Sequence, residues 1–115
     1  MNAPTLQQII KQPEGQTFDR KSIKIAAKDL AVTVVAFANA DGGIIAIGVA
    51  DDGKLEGVDR HTQHLNELLR VPFDYCQPTV KVLPEKIPET NDDGKSDHIL
   101  LLRVAQSLKV HGNQK

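Results

Sequence analysis

The stretch Ala36-Phe37-Ala38-Asn39-Ala40-Asp41-Gly42-Gly43-Ile44-Ile45-Ala46-Ile47-Gly48-Val49 constrains the fold more than any other part of the sequence. Upstream of it, Leu30, Val34 and Phe37 recur at helical spacing, with Val35 and Ala38 widening the stripe, and predict a core-facing helix over 25–40. The β-branched residues Val32, Thr33, Val34 and Val35 lower intrinsic helix propensity, a preference that a buried face overrides. Gly42 and Gly43 can take the left-handed conformation that ends a helix. The continuous apolar run 44–50 then predicts a core strand. This order argues against a phosphate loop, in which a strand runs into the helix whose N-terminus supplies the donors. No Gly-Lys-Ser/Thr follows either, so no ATP site is expected in this segment.

Around this unit the remaining elements are short. Thr5 can cap a helix over 6–12 that Pro13 ends, and 16–21 reads as a strand with Phe18 on one side. Asp51-Asp52-Gly53-Lys54 is a tight-turn signal, which predicts that 55–58 returns as the hairpin partner of the central strand. Thr62 is expected to cap a helix over 65–70, limited by Pro72 and Pro78. Two further strands are read over 79–87 and 98–105, joined by a polar, mobile tip over 88–97. The fold expected is therefore α+β, a mixed β-sheet of about five strands packed with two or three helices, in a single domain covering 1–115. The stretch 106–115 has no clear closing element and reads as the boundary of a longer chain.

Composition narrows the function classes. With 115 residues, 40% hydrophobic and 25% charged, one core is expected. Aromatic residues make up 3% and Trp is absent, so a broad base-stacking platform is not expected. The single Cys76 cannot form an intrachain disulfide, no leader pattern opens the chain, and no apolar run approaches the ~20 residues of a membrane span. The cytoplasm is the expected compartment. The formal net charge is -1, so any nucleic-acid site must come from local clustering or a partner subunit.

Three clusters could carry chemistry. Arg20, Lys21, Lys24 and Lys28 lie on or just after the first strand and could pair with phosphates, although Asp19 and Asp29 lie among them. Glu14 and Asp19 flank that strand while Asp51 and Asp52 end the central one; carboxylates from adjacent strand ends can converge on Mg²⁺ or Mn²⁺ and activate water. The plainer account is that Asp51-Asp52-Gly53 turns a hairpin and Glu14 sits in a loop. His61, His64 and Cys76 suggest zinc only weakly, since a fourth ligand is missing, and no positioned base supports Cys76 as a catalytic thiol.

Taken together, Glu14-Gly15-Gln16-Thr17-Phe18-Asp19-Arg20-Lys21, the block from Ala36 to Gly43, Ile47-Gly48-Val49-Ala50-Asp51-Asp52-Gly53 and Gly57-Val58 resemble the Schlafen-type AlbA family. The family pattern runs Glu, a few residues, Glu-Phe-Lys, then Ala-Phe-Ala-Asn-Thr-x-Gly-Gly, an Ile-Gly-Val strand and an acidic turn. Here Asp19 replaces the usual Glu and Arg20 the usual Phe, and the final strand with a Tyr-x-Arg element is missing. The resemblance implies an AlbA-like nucleic-acid-binding domain, usually N-terminal in longer regulators with winged-helix or ATPase-like segments downstream. Such proteins are often labelled transcriptional regulators, divergent AAA ATPases or RecG-related DNA helicases. In nuclease members three acidic residues cleave RNA, and by motif these match Glu14, Asp19 and Asp51, with Asp52 as the neighbouring candidate.

The leading expectation is a module that binds DNA or RNA through Arg20, Lys21, Lys24 and Lys28, needs no cofactor for binding, and doubles its basic surface as a homodimer. The first alternative is a nuclease dependent on Mg²⁺ or Mn²⁺. The second is a regulatory dimerisation domain that touches no nucleic acid, using an apolar strand edge near 99–104 left open by the missing last strand.

Overall fold

The computed structural model describes residues 18–107, 112 and 113. The helix expected over 6–12 and the candidate Glu14 lie outside the described residues. Strands β1 Phe18–Lys21, β2 Gly43–Ile47, β4 Val82–Thr90 and β5 Ser96–Val104 form a four-stranded sheet in the order β1-β2-β5-β4. The sheet is mixed: β1 is parallel to β2, while the β2/β5 and β5/β4 pairs are antiparallel. A second pairing joins β3 Cys76–Gln77 to β6 Gly112–Asn113. Helices α1 Ala27–Asn39, α2 Thr62–Leu69 and the one-turn α3 Val71–Asp74 complete the α+β architecture, and a 3-10 turn at Asp59–His61 leads into α2.

The predicted helix and its glycine stop are present. Ala27, Leu30, Ala31, Val34, Phe37 and Ala38 form one buried stripe of α1, which explains why four consecutive β-branched residues do not break it. Gly42 has φ +77° and donates its N–H to the Phe37 carbonyl at 2.8 Å. A Cβ there would also stand 2.7 Å from the Val104 carbonyl oxygen, so the same glycine lets the helix end pass close against the end of β5.

Both sheet faces carry apolar clusters. On the helix side, Ile45, Ile47, Leu100 and Leu102 pack with Leu30, Val34 and Leu68. On the other side, Phe18, Ala46, Val49, Ile99 and Leu101 cluster with Ile44, Leu55 and Ile87. This explains the uninterrupted apolar runs of β2 and β5: interior strands buried on both faces have no need to alternate.

Four local expectations change. The turn after the central strand forms, with Gly53 N–H donating to Ala50 O and Ala50 N–H to Lys54 O, but the predicted hairpin shrinks to a single bridge, Val49 to Leu55. Strands β1 and β5 already occupy both edges of β2, leaving no side for a third partner. Thr62 does not cap α2; it is its first residue, and its hydroxyl donates back to Asp59 O. The polar 88–97 stretch is not a long tip: β4 and β5 pair through Thr90 and Ser96, and Asp97 is buried.

Finally, the apolar strand over 99–104 offers no open edge, because β5 lies between β2 and β4. The open edge belongs to β4. Asn91 N–H and Lys81 O engage β5, which by alternation turns the even-numbered backbone groups of β4 outward. Pro84 and Pro88 fall on that outward register and remove two of its donors, so strand addition there is disfavoured.

Candidate nucleic-acid interface

The segment that leaves β1 is fastened to the loop that follows β2. Lys21 O accepts N–H groups from Gly48 and Val49 at 2.9 and 3.3 Å. Glu56, from the far side of that loop, accepts the Ser22 hydroxyl at 3.0 Å and the Ile23 N–H at 3.1 Å, so both carboxylate oxygens are used in pinning the chain. The Lys24 N–H then donates to Ser22 Oγ at 3.0 Å. The result is an exposed Lys24 held at the rim of an open groove of about 360 Å³, lined also by Ile23, Glu56, Arg60, His61 and Asp92. Lys28 is exposed in the first turn of α1. Neither lysine makes an ion pair among the described residues.

Arg60 lines the same groove. Its Nη1 donates to Asp93 Oδ2 at 2.6 Å, its Nη2 donates to Glu56 O at 2.8 Å, and Asp92 Oδ1 lies 3.6 Å from Nη2. Arg60 also borders a second open groove with His61, Thr62, Gln63 and His64. His64 Nε2 donates to the Ile25 carbonyl and its Nδ1 faces Glu67 at 3.3 Å, which ties α2 to the approach to α1.

Behind this surface, Asp97 organises the loop. It is 3% exposed; Oδ1 accepts N–H groups from Val58, Asp59 and His98 at 2.9, 2.9 and 2.7 Å, and Oδ2 accepts Asn91 Nδ2 at 2.9 Å. Burial alone would raise its pKa, but these four hydrogen bonds outweigh it and lower the value from 3.8 to about 2. Gly57, at φ +77°, is required here because a Cβ would run into the Asp97 carboxylate. Asn91 Oδ1 in turn accepts the N–H groups of Asp93 and Lys95, fixing the β4–β5 turn that presents Asp92 and Asp93 to Arg60.

The predicted basic residues are not on one face. By strand alternation Asp19 and Lys21 share the helix side with Ile45 and Ile47, and Lys21 Nζ sits 3.0 Å from Asp19 Oδ2. Arg20 projects to the opposite side with Phe18, its guanidinium carbon 6.0 Å from that ring centroid. Lys24 and Lys28 lie beyond the strand, at the groove and on α1. Asp51 and Asp52 are exposed on the turn, with Asp52 Oδ1 accepting Lys54 N–H.

Among the described residues, the carboxylate and histidine group whose ligand atoms all lie within 4.8 Å is Asp59, Asp97 and His98, and Asp19, Asp51 and Asp52 do not belong to it. The Asp97 oxygens are taken up by four donors and His98 Nδ1 is 2.9 Å from Asp59 Oδ2, so the group is a structural clamp. Cys76 is buried in the helix-side core, where burial pushes its thiol pKa up; together with the bonded His64 this removes the basis for zinc or a reactive thiolate.

Arg60, Glu56 and Asp97 carry the arrangement and were not singled out from the sequence. Glu56 and Arg60 sit in the irregular stretch before α2, and the side-chain partners that give them their roles, Ser22 for Glu56 and Asp92 and Asp93 for Arg60, lie more than 30 residues away in the chain. Asp97 offered a faint signal, a carboxylate opening the apolar run of β5. No described helix is long and apolar enough to cross a membrane.

In a comparison with known proteins, residues 14–115 match a family model described as Schlafen, AlbA_2. No curated protein matches the chain.

Proposed function

The chain belongs to the Schlafen AlbA_2 family, and we propose that it is a nucleic-acid-binding module, DNA-binding in the first instance, of a larger regulator or RecG-related helicase-like protein. The family is consistent with a nucleic-acid-related domain. The observation that carries the reading is Lys24, held by the Ser22–Glu56 clamp at the mouth of a groove that also holds Arg60 and His61. With Lys28 exposed in the first turn of α1, this is a small set of cations available to backbone phosphates.

Aromatic base readers do not accompany them: Phe18 and Phe37 are buried, and Phe73 lines a separate apolar groove. Binding is therefore through the phosphate backbone, tolerant of sequence and steeply weakened by salt. A gel-shift or fluorescence titration at two salt concentrations tests this. Binding to DNA or RNA at low salt that fades at moderate salt is expected; no binding to either at low salt would remove the reading.

The metal-dependent alternative has one supporting observation. The hydrogen bonds from Gly48 and Val49 to Lys21 O bring the strand of Asp19 beside the segment leading to Asp51. Incubating structured RNA and single-stranded DNA with Mn²⁺, with an Asp51→Asn variant in parallel, tests it. Equal or absent cleavage in both proteins rejects catalysis.

A further inference from the structure

Arg60 is the guanidinium that lines the groove, yet the β4–β5 turn already occupies it. We propose that Asp92 and Asp93 act as a built-in phosphate mimic on Arg60, and that a phosphodiester backbone displaces them and takes the guanidinium for itself. The inference rests on the nucleic-acid-binding reading above.

The geometry suits an exchange. The guanidinium donates to Asp93 at 2.6 Å and lies 3.6 Å from Asp92, a two-carboxylate grip of the kind a phosphate's oxygens can replace. All three side chains are substantially exposed, Arg60 at 47%, Asp92 at 40% and Asp93 at 57%. Exposed ion pairs of this kind contribute little and are screened, so a polyanion can compete.

The acidic partners cannot follow the arginine. Asn91 pins their turn through Asp93 N–H and Lys95 N–H, and Asp92 N–H is bonded to Leu55 O at 2.7 Å. The long arginine side chain is thus the mobile part, and it borders both the Lys24 groove and the groove along His61 to His64. Swinging off the turn would place it between Lys24 and the two histidines, extending the phosphate track from α1 to α2. Until then the two carboxylates also repel a polyanion from the groove, which sets a threshold against weak, non-specific occupation.

The test is a thermodynamic cycle read with fluorescein-labelled single-stranded DNA and single-stranded RNA across a salt series. Four proteins are compared: wild type, Asp92→Asn/Asp93→Asn, Arg60→Gln and the triple variant. Neutralising the turn is expected to tighten binding about fivefold when Arg60 is present. The log K against log[salt] slope should steepen by about 0.7, the value for one additional phosphate contact on a single strand. In the Arg60→Gln background the same change should give about twofold or less, the general effect of removing negative charge.

Equal gains in both backgrounds, or no gain in either, would overturn the latch. If wild type binds but the cycle shows no coupling, the latch alone falls. If no protein binds at low salt, the nucleic-acid reading falls with it. Far-UV circular dichroism checks folding, and Asp93→Asn alone, which removes only the 2.6 Å contact, serves as the second variant and should give a smaller gain of the same sign.

Discussion

Exchanging Asp97 and Asn91 tests whether donor and acceptor placement, rather than composition, holds the loop beneath the groove. In Asp97→Asn one oxygen can still accept the three amides, but an NH₂ now faces Asn91 Nδ2 across a 2.9 Å gap. Turning Asn91 over would cost its bonds to the N–H groups of Asp93 and Lys95. One charge-assisted bond is lost and three are weakened, a cost of about 3 kcal/mol. The depressed pKa expresses the same four hydrogen bonds: moving from 3.8 to about 2 corresponds to about 2 kcal/mol at neutral pH.

Asn91→Asp alone sets two buried carboxylates against each other and should cost at least as much. The double variant Asn91→Asp/Asp97→Asn restores the pairing. The carboxylate introduced at position 91 would accept from both turn amides and from the new side-chain NH₂, while the oxygen at position 97 keeps the three backbone donors. Urea unfolding at pH 7 should place each single variant about 2 to 3 kcal/mol or more below wild type and the double variant within about 1 kcal/mol of it. A double variant as unstable as the two singles summed would refute the reasoning.

Acid should unfold the protein through the same group. Because the folded-state pKa is depressed, Asp97 stabilises fully above its ordinary 3.8 and loses that contribution as pH falls toward about 2; Asp97→Asn should flatten this part of a circular-dichroism pH titration. Gly42→Ala should lower stability by about 2 kcal/mol or more, measured by thermal melting, since it adds a left-handed penalty to a 2.7 Å clash with Val104 O. Replacing Pro84 and Pro88 with Val restores two outward N–H groups on the β4 edge, so concentration-dependent association should appear in light scattering where wild type shows less.

The parts of the fold that were legible are those set by local pattern. The α1 stripe and the Gly42 stop are properties of neighbouring residues and needed no knowledge of the rest of the chain. The hairpin expected after β2 failed because Asp51-Asp52-Gly53-Lys54 specifies a turn, not which strands flank β2; that choice is made by β1 and β5, distant in sequence. Pro88, Glu89 and Thr90 read as part of the loop that Asp92, Asp93 and Gly94 do form, because polarity marks exposure, yet exposure does not exclude a strand whose edge and one face are solvated.

The site divides in the same way. Lys24 and Lys28 stand out as local clusters of charge. Arg60 does not, because its significance comes from a turn 33 residues away. The four basic candidates also looked equivalent on paper, whereas strand alternation sends Arg20 to one side of the sheet and Lys21 to the other.

The most direct measurement of the account is the salt dependence of DNA binding by wild type and by Lys24→Gln/Lys28→Gln. The two lysines are exposed, so the variant should fold as wild type does. On duplex DNA the slope of log K against log[salt] should become shallower by about 1.8, one contact of about 0.9 for each lysine, with affinity falling on all sequences alike. An unchanged slope and affinity would contradict the assignment of this groove to the phosphate backbone.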